Sequence, residues 1–167
     1  AGNLWRYAGL CRGKAHGRVI IEAWPCPLPG GGFVDEYALA FRRGRTPVVL
    51  IIPALFDEAN RMRRFTVEVM RRLDGAGVDC VLPDLPGTNE SVQQLGTQGV
   101  DDWLDAMAAA ALHFGASHVL GIRGGCLFTP DTLPGWHYAA VKGGSVLRQM
   151  LRARMVSARE AGRDEAA

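Results

Sequence analysis

The 167-residue sequence predicts an α/β fold built on one mostly parallel sheet with a leading antiparallel hairpin. Three observations lead there. Short apolar runs rich in β-branched residues recur at residues 48–52, 78–82 and 117–122, as strands covered on both faces require. Segments with helical periodicity, 60–73 and 101–114, lie between them, so strand and helix alternate from residue 48 to 123 and wind a parallel sheet through right-handed crossovers. Ahead of this region, two strand-like segments flank a loop rich in proline and glycine, which reads as a hairpin.

In order, residues 18–24 (RVIIEAW) form the first strand, and Pro25 to Gly32, with three prolines and three glycines, read as loop. Residues 33–43 alternate as a second strand, and Gly44-Arg45-Thr46-Pro47 turns the chain back. The buried strand 48–52 ends at Pro53. Between 60 and 73, Met62, Phe65, Val67, Val69, Met70 and Leu73 recur at mostly helical spacing, with Gly75 and Gly77 as the stop. Strand 78–82 ends at Pro83, and 84–91 is a loop. Helix 101–114 carries Trp103, Leu104, Met107, Ala111 and Phe114 in its stripe and closes at Gly115. After strand 117–122, Pro130 and Pro134 confine any further helix to little more than a turn. Residues 136–141 read as another strand and 145–160 as a last helix with Val146, Met150 and Leu151, and with Arg148 and Arg152 one turn apart.

Length and a 48% apolar composition predict a single domain over residues 1–167. Lys+Arg 19 against Asp+Glu 17 gives net charge +2, which argues against nucleic acid as a partner. Basic clusters at 42–45, 61–64, 71–72 and 148–154 lie beside apolar segments and read as solvated faces. Cys11, Cys26, Cys80 and Cys126 form no C-x-x-C pair and have no histidine at ligand spacing. Neither a metal site nor a disulfide framework is expected, no cofactor is indicated, and a reducing cytoplasm fits the cysteine usage. The longest apolar stretches, 48–56 and 106–112, fall short of the roughly 18 residues of a membrane span. The N-terminus lacks a secretory pattern, and both ends, Ala1 and the polar 165–167, read as cut from something longer.

Chemistry in such sheets sits beyond the carboxyl ends of the strands. Three ends carry unusual residues: 53–60, 84–91 and 121–125. In the last, VLGIRGGC (119–126) has the outline of a nucleophile elbow, G-x-S-x-G, with Arg123 in the place of the serine. Arginine stays protonated at ordinary pH and cannot attack a carbonyl.

A leading hairpin, a strand with a following loop, a strand ending in Asp84-Leu85-Pro86-Gly87 and then the elbow occur in the order in which the chain resembles an α/β-hydrolase. Its D-x-P-G-x-G-x-S stretch is matched with Ser91 in the last place and Asn89 where a glycine is usual. The chain is more specifically similar to the α/β-hydrolase-like proteins of exosortase A systems, the hydrolase 2 group. The likeness lies in Pro53-Ala-Leu-Phe-Asp-Glu-Ala-Asn-Arg-Met-Arg-Arg64, where Glu58, Asn60, Arg63 and Arg64 match, in Trp103-Leu104-Asp105-Ala106, and in an arginine at the elbow. It covers about residues 18–160 and implies the α/β-hydrolase fold and a link to exosortase and exopolysaccharide systems. Two departures stand out. Superfamily members continue with the acid and the histidine of the triad, whereas this sequence stops first, so the fold is expected to be truncated on its C-terminal side. Only 12 residues separate Arg123 from Trp136, so the helix after the elbow is nearly deleted. One face of the middle strands is then left for a rearrangement or for a partner in a homo- or hetero-oligomer to cover.

Each candidate residue admits a functional and a structural reading. Arg123 could grip a carboxylate, phosphate or sugar acid, or lock two loops by pairing with Glu58 or Asp57. Asn60 could touch a substrate or cap the helix that follows, with Arg63 and Arg64 on its exposed side. Leu55 and Phe56 would supply backbone N–H groups to an oxyanion hole. Asp84 reads as a turn residue bonding local amides and Cys126 as a buried spectator thiol. Gly124 and Gly125 serve a tight turn and close backbone approach, and also leave room for a ligand. Three functions follow: a hydrolase-like protein without serine-triad activity that binds a small anionic ligand or a protein partner; an active hydrolase or acyltransferase of the ester or thioester class, with Arg123 polarising an oxyanion and Glu58 as general base; or a decayed copy.

Overall fold

The structure, a computed structural model, describes residues 19–160. Six strands form one sheet in the order β1-β2-β4-β3-β5-β6. β1 (Ile20–Pro27) and β2 (Phe33–Phe41) are the expected antiparallel hairpin, and β2 also runs antiparallel to β4 (Asp79–Pro83). From β4 through β3 (Val48–Ile52) and β5 (His118–Ile122) to β6 (Gly135–Tyr138) every pairing is parallel. Helix α1 (Asp57–Gly75) connects β3 to β4, and α2 (Val100–Phe114) connects β4 to β5. A 3-10 turn (Arg123–Phe128) joins β5 to β6, and α3 (Gly143–Glu160) follows.

The core divides as the strand period demands. Along β3, Val48, Leu50 and Ile52 face a cluster that holds the α2 residues Trp103, Ala106, Met107, Ala110, Ala111 and Phe114, while Val49 and Ile51 face Val67 and Met70 of α1. Three alanines in the α2 stripe let that helix lie close on β1 and β3. Leu104, expected in the stripe, is 38% exposed, because Ala106 and Ala110 hold the inward positions.

Three expectations are corrected. The stretch from Pro25 reads as loop, yet β1 continues through Pro25, Cys26 and Pro27, paired with Asp35, Val34 and Phe33. β1 is an edge strand, and an edge tolerates prolines whose missing N–H would have faced solvent. The cluster at Arg42–Arg45 is not merely a solvated face. Arg45 lays its guanidinium between two buried carboxylates, with Nε 2.6 Å from Asp79 Oδ1 and Nη2 2.6 Å from Asp74 Oδ1, and Arg43 Nη2 reaches Asp74 Oδ2 at 3.0 Å. The backbone N–H groups of Arg43 and Arg45 also donate to Asp79 Oδ2, so the turn before β3 is bolted to the end of α1 and the start of β4. The shortened connection after β5, finally, does not bare the middle strands. The 3-10 turn and α1 cover them, and the exposure falls on β6, all four residues of which are exposed.

Candidate functional site

At the carboxyl ends of the adjacent parallel strands β3 and β5, two non-glycine residues hold positive φ: Phe56 at 54° and Arg123 at 55°. Such conformations cost on the order of 1–3 kcal/mol each and persist where surrounding contacts impose them. Here the contacts are explicit. A Cβ on Gly125 would clash with the carbonyl oxygen of Pro53 and lie 2.7 Å from that of Ile52, and one on Gly124 would meet Leu55 Cγ at 2.7 Å. The turn after β5 therefore presses against the loop after β3, with glycine as the residue that permits it. The room that these glycines were expected to leave for a ligand is filled by Leu55 and the Pro53 backbone.

Arg123 joins three segments. Its Nε donates to Glu58 Oε1 at 2.8 Å, its Nη1 to the carbonyl of Ala139 at 3.2 Å, and its own carbonyl accepts from Val141 N–H at 3.4 Å. Both side chains of the pair are about one-third exposed, at 35% and 38%. Glu58 lies in the first turn of α1, where the helix end favours negative charge. Of the two carboxylates expected to pair with Arg123, Glu58 does so. Nη2 makes no hydrogen bond among the described residues.

The other expected residues scatter. Asn60 does not cap α1, because the helix begins three residues earlier, with Phe56 at the cap position and Asp57 and Glu58 in the first turn, and Asn60 is exposed. Leu55 is buried; Phe56 sets its ring 5.9 Å from that of Trp103. Both line a cleft of about 460 Å³ with Trp103, Leu127, Phe128 and Met150, apolar on almost every side. Arg123 and Glu58 are not among its lining residues.

Asp84 accepts from an amide of its own loop, as expected, though from a side chain, and it also reaches beyond the loop. It is buried, and its Oδ1 takes Nδ2 of Asn89 at 2.8 Å and Nη1 of Arg63 at 3.4 Å, which draws Arg63 inward from the exposed side assigned to it. Asn89 stands at φ 48°, the left-handed conformation that a glycine would adopt there and that asparagine tolerates better than most residues. Ser91 of the same loop donates its Oγ–H to Glu36 Oε1 at 2.6 Å. Glu36, 1% exposed, also accepts from Val92 N–H and from Gln93 Nε2, so this loop is pinned to β2 through one buried carboxylate. The signal for Glu36 was available: it falls on the same strand face as Ala38 and Ala40.

Among the described residues no hydroxyl or thiol stands with an imidazole backed by a carboxylate. The Cys126 thiol is buried, its nearest partner is the Tyr138 carbonyl at 3.9 Å, and burial raises its pKa. The Ser117 hydroxyl lies 3.0 Å from His118 Nδ1, at the opposite end of β5 from Arg123, and is tied to Val48 of β3. The Thr129 hydroxyl, 3.0 Å from His137 Nε2, also bonds the Cys126 carbonyl. The three described cysteines are free and buried, and no group of three potential metal ligands occurs among the described residues. Cys11 lies outside them.

The sheet order, the hairpin and the crossovers define an α/β-hydrolase fold. Solved structures agree. The chain is similar to DBJA (15% identity, TM-score 0.54, 72% of this chain and 41% of that one) and to a candidate hydrolase from Agrobacterium vitis S4 (14%, 0.50, 64% and 40%). It is also similar to a predicted CIB-like hydrolase from Thermoplasma acidophilum (11%, 0.50, 71% and 65%). It spans less than two thirds of the length of each. No protein-family model matches the sequence, and no curated protein matches it significantly.

Proposed function

We propose that this chain is an α/β-hydrolase-like protein in which Arg123 occupies the elbow position of the nucleophile, without serine-triad activity, and that it binds an anionic ligand or a protein partner. The observation that carries this reading is the strained turn at Arg123 with its guanidinium held by Glu58. Strain at consecutive strand ends marks the place where this architecture performs its function. A cation that can neither attack nor accept a proton fills it. Glu58 neutralises one edge of the guanidinium, and Nη2 remains to meet a carboxylate, a phosphate or an acidic side chain. The link to exosortase and exopolysaccharide systems, and a reducing cytoplasmic setting, belong to the same proposal and rest on the resemblance and on the free thiols.

An active hydrolase or acyltransferase would need Glu58 as a base. Its Oε1 is instead committed to Arg123. A fluorophosphonate probe is therefore expected to leave the protein unlabelled, and stoichiometric labelling would restore a serine enzyme. In thermal-shift measurements, acetate, phosphate or glucuronate should raise the Tm of the wild type and not of Arg123→Ala. Equal shifts in both proteins, or none in the wild type, would reject the anion site.

A further inference from the structure

Helix α3 carries apolar residues where the body of the protein does not reach. Val146 packs against the core, and Val146, Leu147 and Met150 line one wall of the cleft. From Leu147 to Val156 every side chain described is exposed, including Leu151 and Met155, each at 52%. At 3.6 residues per turn, Leu151 and Met155 continue a stripe outward from Leu147, which stands at the rim of the cleft, and turn away from the side carrying Val146 and Met150. Arg148 and Arg152 follow this stripe along one flank, and Arg154 lies on the other. Lys142 precedes the helix, whose single acidic residue is Glu160 at its last position.

We infer that α3 lies on an anionic membrane surface, with Leu147, Leu151 and Met155 entering the headgroup boundary and the flanking arginines meeting lipid phosphates. Apolar stripes rimmed by arginine suit this placement, since the long side chains bury their stems and keep the charge at the interface. The charge pattern selects this occupant over a second copy of the chain. Two such helices packed together would bring arginine flanks against each other with only Glu160, at the far end of each helix, to answer them. A three-residue stripe is also small beside the roughly 1,600 Å² of a standard protein interface. Among the described residues no helix is long and apolar enough to cross a bilayer.

The test is sedimentation of the full 167-residue chain with phosphatidylcholine vesicles, alone or mixed at about 3:1 with phosphatidylserine. The protein should pellet with the mixed vesicles and not with phosphatidylcholine alone, and less so as salt rises. Leu151→Glu/Met155→Glu should lose binding by about tenfold or more, and Arg148→Gln/Arg152→Gln by several-fold. All four positions are exposed, so circular dichroism and Tm should stay unchanged. Absence of binding to mixed vesicles, or equal binding by the variants, would overturn the inference. So would a dimer in vesicle-free solution that Leu151→Glu/Met155→Glu dissolves, since it would assign the stripe to a second copy.

Discussion

Asp79→Ala is expected to reduce the unfolding free energy by about 3–5 kcal/mol, as breaking a buried ion pair from one side does. Asp79 is 0% exposed and accepts from the Arg43 and Arg45 amides and from the Arg45 guanidinium. Without it, two backbone donors lose their acceptor, Arg45 keeps only Asp74 as a carboxylate partner, and the turn before β3 loses its bolt to β4. Burial alone would raise the carboxyl pKa, but these donors outweigh it, so Asp79 titrates below the usual range. The sign follows from linkage. A depressed folded-state pKa gives stability that is complete above the unfolded value of about 3.9 and is lost as pH falls through the folded value. Urea titrations from pH 7 to pH 2 should therefore show a wild-type decline below about pH 4 that is blunted in Asp79→Ala. Parallel acid limbs in the two proteins would contradict the network.

Gly125→Ala is expected to cost about 3 kcal/mol or more, at the upper end of overpacking effects. The added methyl clashes with the Pro53 carbonyl oxygen, and the strand end before it is fixed, since Ile52 is in register with Gly121 of β5. Neither backbone can yield without breaking the sheet. Gly124→Ala gives the contrast. Its methyl meets Cγ and Cδ1 of the Leu55 side chain, which yields more readily than backbone, so the loss should be smaller, about 1–2 kcal/mol. Urea midpoints of the two variants check the ranking. Equal losses would mean that the loops after β3 and β5 do not meet as described.

Where burial follows periodicity, the sequence was readable. The all-buried strands β3 and β4, the α2 stripe and the Gly115 cap follow from residue type and spacing, and so does the parallel sheet. Long-range polar partners were not readable. Asp79 and Asp74 find Arg45 at separations of 34 and 29 residues, and Ser91 finds Glu36 across 55, so no local pattern announces either network. Pro25 and Pro27 misled because local chemistry says loop while the strand's edge position makes the missing donors harmless. At the candidate site, the Arg123–Glu58 pair was legible as one of two options, because a guanidinium beside a strand end needs a carboxylate nearby. The position of Asn60 was not, because α1 starts without a side-chain cap. No signal in the sequence marked the unusual backbone at Phe56.

The central claim is that the cation at the end of β5 holds the loop after β3 through Glu58. A double-mutant cycle over Arg123→Ala and Glu58→Ala, measured by urea unfolding, tests it most directly. Alanine keeps a Cβ at position 123, so the cost of the positive φ largely cancels across the cycle. A coupling energy of about 0.5–1 kcal/mol, shrinking in high salt, is predicted for a pair of this exposure; additive losses with no coupling would contradict the account.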